Sequence, residues 1–402
     1  MSATQQTSGA PAIPQESGRG GGWPAVVAIA LCIFSLITIE QLPIGVLTLV
    51  SDDLQVSHGA VGLAVTFPGV LAAILALLVP GVTARFNRKT VLLVGVSAIV
   101  LSCVLAAVSQ NYWIFIAARV FTGVAIGVSW PVVPPLVQAQ VRAEKYALAL
   151  SVAFGGIGCA LVFGLPLVTW LGTLFGWRGA FVATGGVALL ALLAAAVLVR
   201  GLRSEVQETI RSTLRVFRVR GVRYIVTLTC ILITAHFISY NYISPLLQDF
   251  GRVPLEQISG YLLVYGVLGL LGNFLISPVI KRSPPAAVLI FAVGGVVFLL
   301  CIALVMRDPL PALFIAAGWG LFEGMSSVSV QGFVGSVSGQ RLEAASALNG
   351  SAFNLSIGLG AAIGGLIVDN VGLLSAVWVS FAATVLGAAL CTRFIMTQNR
   401  KG

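Results

Sequence analysis

Charge is scarce in this sequence. Asp, Glu, Lys and Arg make up 9% of its 402 residues, against about 25% in an average soluble domain. Hydrophobic residues make up 58%, and mean hydropathy is +1.02. No soluble fold hides that much apolar surface, so lipid must be the solvent for much of the chain. CxxC pairs are also missing. Cys32, Cys103, Cys159, Cys230, Cys301 and Cys391 lie singly in apolar stretches, which argues for small interior residues and against disulfides or metal sites. The phosphate-cradling pattern GxxxxGK[ST] is absent, so ATP-driven transport has no support. No Ser-His-acid spacing suggests an enzyme, and nothing calls for a cofactor. The net charge of +10 does not read as nucleic-acid binding, because the basic residues form short clusters between apolar runs instead of covering one face.

What the chain does have is a succession of apolar runs, each near the ~20 residues that cross hydrocarbon as a helix. The spans fall at 24–50, 59–80, 90–109, 113–136, 147–170, 179–199, 223–247, 259–280, 286–306, 311–334, 344–368 and 373–396. The predicted fold is an all-α polytopic membrane protein of twelve helices. Residues 1–22, rich in Ser, Gln, Gly and Pro, read as a disordered tail. The first apolar run is too long for a signal-peptide core and no clean cleavage pattern follows it, so it reads as a retained helix. Bundles at 23–199 and 223–396 are joined by an arginine-rich linker, 200–222, and residues 397–402 form a second tail.

Basic residues set the expected orientation. With an even number of spans both termini share a side, and 19 of the 23 Lys and Arg fall there. The exceptions are Arg119, Arg178, Arg252 and Arg307. Both termini are therefore expected in the cytoplasm, in the inner membrane of a bacterium. Trp23, Tyr112, Trp113, Trp170 and Trp177 mark the interfaces, as amphipathic rings prefer.

A charge at the bilayer centre costs at least about 2.5–3.5 kcal/mol, so it needs a partner or water. Four ionisable residues lie well inside spans: Glu40 in the first, Arg119 in the fourth, His236 in the seventh and Glu323 in the tenth. One falls in each of the four three-helix blocks. Burial disfavours a charged carboxylate and a nearby guanidinium favours it. Glu40 is thus expected to exchange a proton under the control of Arg119, and a permanent ion pair is the alternative. Glu323 reads as an isolated carboxylate that binds substrate or carries a second proton. His236, Tyr240, Asn241 and Tyr242 suggest a polar cavity wall, although a neutral His also satisfies itself on a backbone carbonyl. Pro43 and Pro245 would kink the outer ends of spans 1 and 7 as a matched pair of gates. Asn349 and Asn354 in span 11 read as packing residues.

Span 5 carries Ala153-Phe154-Gly155-Gly156-Ile157-Gly158 and Gly164-Leu165-Pro166; span 11 carries Ala352-Phe353-Asn354-Leu355-Ser356-Ile357-Gly358 and Gly364-Gly365. Small residues at such spacing let helices approach closely. Their matching places in two six-helix halves suggest a duplicated unit.

From about residue 25 to 396 these features resemble the major facilitator superfamily, in particular its 12-helix drug:proton antiporters and the sugar and purine-ribonucleoside efflux permeases. The resemblance rests on EQLPIGVL (40–47), RVFTGVAIG (119–127), the 158–177 stretch ending GWR, YISPL (242–246) and ALNGSAFNLSIGLGAAIGG (347–365). It implies proton coupling at Arg119-x-x-x-Gly123 and a conformational role for Gly155, Gly156, Gly158, Gly164 and Pro166. In the loop PGVTARFNRK (80–89), Arg85, Arg88 and Lys89 fit the family's pattern. Ala84 stands in place of its usual aspartate and Asn87 in place of a glycine. The function implied is a proton-coupled secondary transporter, by default a monomer, that expels a small organic molecule such as a sugar, nucleoside or drug. Uptake symport, or a membrane sensor on the same fold, is the alternative.

Overall fold

The computed structural model describes residues 21–83, 86–202 and 215–399. Among them no strand occurs. Eleven helices are long and apolar enough to cross a membrane, one of which, Leu148–Leu198, is 51 residues long. At ~1.5 Å per residue it is more than twice the bilayer core. It breaks at Gly176, whose φ of 73° and ψ of 164° leave the helix, a conformation open mainly to glycine. It is therefore two spans, which brings the total to twelve.

We number the spans α1 to α12. α1 is Gly22–Gly45 continued by Leu47–Leu54; α2 is His58–Thr83; α3 is Arg88–Ala107. α4 joins Tyr112–Ser129 to Val133–Gln140 through a tight turn at Trp130–Val132. α5 runs from Tyr146–Cys159 through a π segment, Ala160–Gly164, to residue 175, and α6 covers 177–198. α7 joins Arg220–Tyr240 to Ile243–Asp249, and α8 joins Ile258–Leu275 to Ser277–Arg282. α9 is Pro284–Leu304; α10 joins Pro309–Glu323 to Ser326–Ser338; α11 is Leu342–Asn370; α12 is Leu373–Asn399.

Several spans run past their sequence-read ends or break inside them, because prolines and glycines interrupt the backbone ladder. Pro166 has no N–H to give the carbonyl of Val162, and the π segment sits there. α1 breaks at Val46 (φ −115°, ψ 20°) and α7 at Tyr242 (φ −110°, ψ 21°). The two halves thus carry nearly the same backbone break in corresponding helices.

Glycines bring the helices together in a repeated scheme. A Cβ at Gly156, Gly164 or Gly172 of α5 would strike Ala30, Thr38 or Val46 of α1. In the other half, Gly360 and Gly364 of α11 lie against Phe237 and Ile238 of α7. The opposite faces of α5 and α11 meet the other half. Gly158 lies against Leu270 of α8, and a Cβ added at Gly358 would come within 2.9 Å of the Thr66 carbonyl of α2. Gly155, by contrast, is exposed with open space where a Cβ would stand.

We call the end of the bundle that carries both chain ends the terminal face, and the other the far face. The halves pack through α2 and α11 along most of their length, through α5 and α8 from mid-depth toward the far face, and through α1 and α7 at the far face. Among the described residues, no terminal-face segment of α4, α5, α8 or α10 packs extensively on the other half. The halves therefore close at the far face and part at the terminal face. Large apolar side chains such as Trp113, Phe175, Val197, Phe314 and Leu366 are exposed around the bundle, as expected where lipid is the solvent.

Of the ring residues read as interface markers, Trp23, Trp113 and Trp170 are exposed. Tyr112 is half-buried, and Trp177 departs from the reading. It is buried against Phe115 and Phe181, and its indole N–H donates to Asp53. Cys159 likewise departs from the interior reading and is exposed.

Candidate functional site

Pro43 and Pro68 each remove a backbone N–H, and so free the carbonyls of Ile39 in α1 and Ala64 in α2. Arg119 of α4, fully buried, takes both. Its Nε donates to the Ala64 oxygen at 2.8 Å and its Nη1 to the Ile39 oxygen at 3.0 Å. A guanidinium is a planar fork of donors, and here it pins two proline-weakened helices to a third. Its Nη2 has no partner. Glu40 is buried next to this junction, within electrostatic reach of Arg119, but no ion pair joins them among the described residues. A permanent Glu40–Arg119 salt bridge is therefore not what the structure shows.

The matching place in the other half holds a second acid–base pair. The Nδ1 of His236 in α7 lies 2.9 Å from Oε2 of Glu323 in α10. Ser326 donates to the other carboxylate oxygen at 3.0 Å. This corrects the reading of Glu323 as isolated, and of His236 as resting on a backbone carbonyl. Tyr240 stacks on the imidazole, Trp319 meets it edge-on, and Tyr265 of α8 stacks on Tyr240. Trp319 precedes Glu323 by one helical turn, a spacing that would have marked it. Nothing in the apolar run of α8 singles out Tyr265.

Tyr242 and Asn241, read from sequence as cavity wall, lie instead in the far-face seal or its approach. Tyr242 is fully buried and donates to the Ala361 carbonyl of α11 at 3.2 Å. Asn241 is fully buried and turns its amide onto the Phe237 carbonyl of its own helix. Around the two breaks, Ser244 donates to the Ile44 carbonyl at 3.0 Å and Gln248 to Thr48 at 3.3 Å. Pro43 and Pro245 flank these contacts. Sequence reading missed Asp369. This carboxylate, at the far end of α11, accepts from the Gly59 N–H at 2.9 Å and from Ser57, capping the N-terminus of α2 in the opposite half. Farther out, Asp53 accepts from Arg178 at 2.6 Å. The Arg178 hydrogen bond, aided by Trp177, holds the Asp53 carboxyl below the usual carboxylate range.

At the terminal face, Asn87 caps α3 by accepting from the Lys89 N–H at 2.9 Å and from the Leu202 N–H at 3.0 Å. Lys89 Nζ donates to the Ala196 carbonyl of α6, and the Arg88 N–H to the Leu202 carbonyl. Arg85 and Ala84 lie outside the described residues. Asn349 accepts from Thr229 of α7 at 2.9 Å, and Asn354 donates within its own helix.

The Major Facilitator Superfamily family model matches residues 29–341. The chain belongs to the major facilitator superfamily. Among its relatives, it is 30% identical over 389 residues to the transcription regulatory protein OpdE of Pseudomonas aeruginosa, covering 95% of this chain and 96% of that one. It is 28% identical to the uncharacterized MFS-type transporter YtbD of Bacillus subtilis, covering 94% and 96%. It is also 28% identical to the purine ribonucleoside efflux pump NepI of Escherichia coli, covering 92% and 93%. A solved bacterial homologue of the human lysosomal transporter Spinster, inward-facing and unoccupied, superposes with a TM-score of 0.70 at 15% identity, over 92% of this chain and 96% of that one. That likeness speaks to the fold.

Proposed function

We propose that this superfamily member is a proton-coupled secondary transporter that moves a small organic molecule out of the cell by alternating access. The terminal face is then cytoplasmic, and the structure corresponds to the inward-open state. The observation that carries the coupling is the junction of α1, α2 and α4, where Arg119 is fixed by two proline-freed carbonyls with one donor spare, beside an unpaired Glu40. Burying an ionised carboxylate is costly unless it is paired. A deprotonated Glu40 therefore gains from moving onto the spare Nη2, whereas a protonated one does not. Only a difference in affinity between two conformations shifts their balance, and this difference links the proton to the position of α1. Residues 23–199 and 223–396 are the two moving bodies, and 200–222 is their tether.

The aromatic and hydrogen-bonding groups around His236, Tyr240 and Glu323 suit a substrate with a flat ring and hydroxyls. The relative named a purine ribonucleoside efflux pump supports testing that class first. Inside-out vesicles carrying the chain, given an acid-inside gradient, are expected to accumulate a labelled purine ribonucleoside, sugar or amphipathic drug from such a panel. E40Q is expected to remove the dependence on the gradient. If E40Q stays fully gradient-driven, Glu40 is not the coupling group. If no member of the panel moves, the sensor reading, which the name of the OpdE relative favours, takes over.

A further inference from the structure

Glu40 lies six residues before the α1 break at Val46, and His236 lies six residues before the α7 break at Tyr242. Since the two breaks share their backbone angles, this register places His236 where Glu40 sits in the other half. Each faces a residue of opposite polarity on the fourth helix of its half: an acid on α1 with Arg119 on α4, a base on α7 with Glu323 on α10. We infer that the His236–Glu323 pair is a second proton-binding position, equivalent by internal symmetry to Glu40 and inverted in polarity. This inference extends the proton-coupling reading above to the other half.

The geometry supports a site that exchanges a proton as a unit. His236 Nδ1 lies 2.9 Å from Oε2 of Glu323, and a proton added to the neutral ring gives an imidazolium beside a carboxylate. Loading thus takes the pair from net negative to neutral, whereas loading Glu40 takes its pair from neutral to net positive. A buried pair is least costly when its charges cancel. The two halves therefore favour opposite loading states, and the bundle as a whole is balanced with the proton on the C-terminal pair. The groups facing His236 are few. Tyr240 comes from α7, Tyr265 from α8, and Trp319 with Glu323 from α10. Toward α7, α11 presents Gly360 and Gly364, and α12 presents Ser380. The α1 residues that hydrogen-bond α7 flank the break at Val46, Ile44 just before it and Thr48 just after it.

The chain has two histidines, so the test is direct. In the full chain labelled with 15N-histidine in lipid nanodiscs, H58Q assigns the resonances. As pH falls from 9 to 5, the His236 signal is expected to pass to imidazolium in the wild type and in E323D, and to stay neutral in E323Q. Potentiometric titration over the same range is expected to show one proton fewer per chain in H236Q/E323Q, one fewer in E40Q, and two fewer when the changes are combined. A His236 that stays neutral in the wild type, or an H236Q/E323Q chain with undiminished proton uptake, overturns the inference. An E40Q chain with undiminished uptake counts instead against the Glu40 reading.

Discussion

Arg119 is the residue whose loss should be felt twice, once in stability and once in coupling. Each charge-assisted bond it gives to a proline-freed carbonyl is worth about 1.5 kcal/mol, less where other partners step in. R119Q is therefore expected to cost about 1–3 kcal/mol, read as a fall in melting temperature in detergent. Adding P43A and P68A returns the missing N–H groups to Ile39 and Ala64, and should recover part of that loss. If the triple variant is no more stable than R119Q, the guanidinium is not serving those carbonyls. Asp53 offers a pH test at the far face. Its carboxyl is held below the ordinary carboxylate value of about 3.9. A lowered folded value means a contribution that is present above the ordinary value and is lost as pH falls through the lowered one. The pair with Arg178 is partly exposed, so the effect is at most about 1 kcal/mol. D53N should flatten the stability profile below about pH 5 and leave it unchanged at pH 7 apart from that small loss.

Among the helices, α11 and α5 carry the closest approaches, and those were legible as glycine patterns at matching places in the two halves. The breaks in α1 and α7 were legible from Pro43 and Pro245. What those prolines liberate was not, because the partner of a freed carbonyl lies on another helix far along the chain. For the same reason the His236–Glu323 contact stayed hidden although both residues stood out singly. Asp369 was invisible for a different reason: at the end of a span an aspartate reads as interfacial charge, and only packing shows that it caps α2. A carboxylate at a helix N-terminus is worth about 0.3–1 kcal/mol. D369N is thus expected to shift the far-face seal toward opening about two- to fivefold. Faster alkylation of a cysteine at Gln248, in a chain without its native cysteines, would report it. An unchanged rate would mean that the cap does not bear on the seal. G364V should do more damage. A side chain there runs into the Ile238 carbonyl and the Tyr242 ring, and overpacking of this kind costs about 1–3 kcal/mol.

Over the whole molecule, the number of spans followed from apolar length, and the two-half organisation from the glycine repeats. The side on which the halves meet did not follow, because it depends on contacts between residues about 200 positions apart, such as Ser244 with Ile44. Those contacts close the far face while α4, α5, α8 and α10 leave the terminal face parted. In the alternating access proposed above, the molecule exchanges these two arrangements about the long α2–α11 contact, and protons bias the exchange. Pulsed electron-spin distances in nanodiscs read this directly, with one label pair at Glu144 and Lys281 on the terminal face and another at Phe175 and Glu256 on the far face. On moving between pH 8 and pH 5 the account predicts reciprocal change, one distance lengthening as the other shortens, and loss of that pH response in E40Q combined with H236Q/E323Q. Two distances that stay fixed across pH, or that change equally in the variant without those three groups, would contradict it.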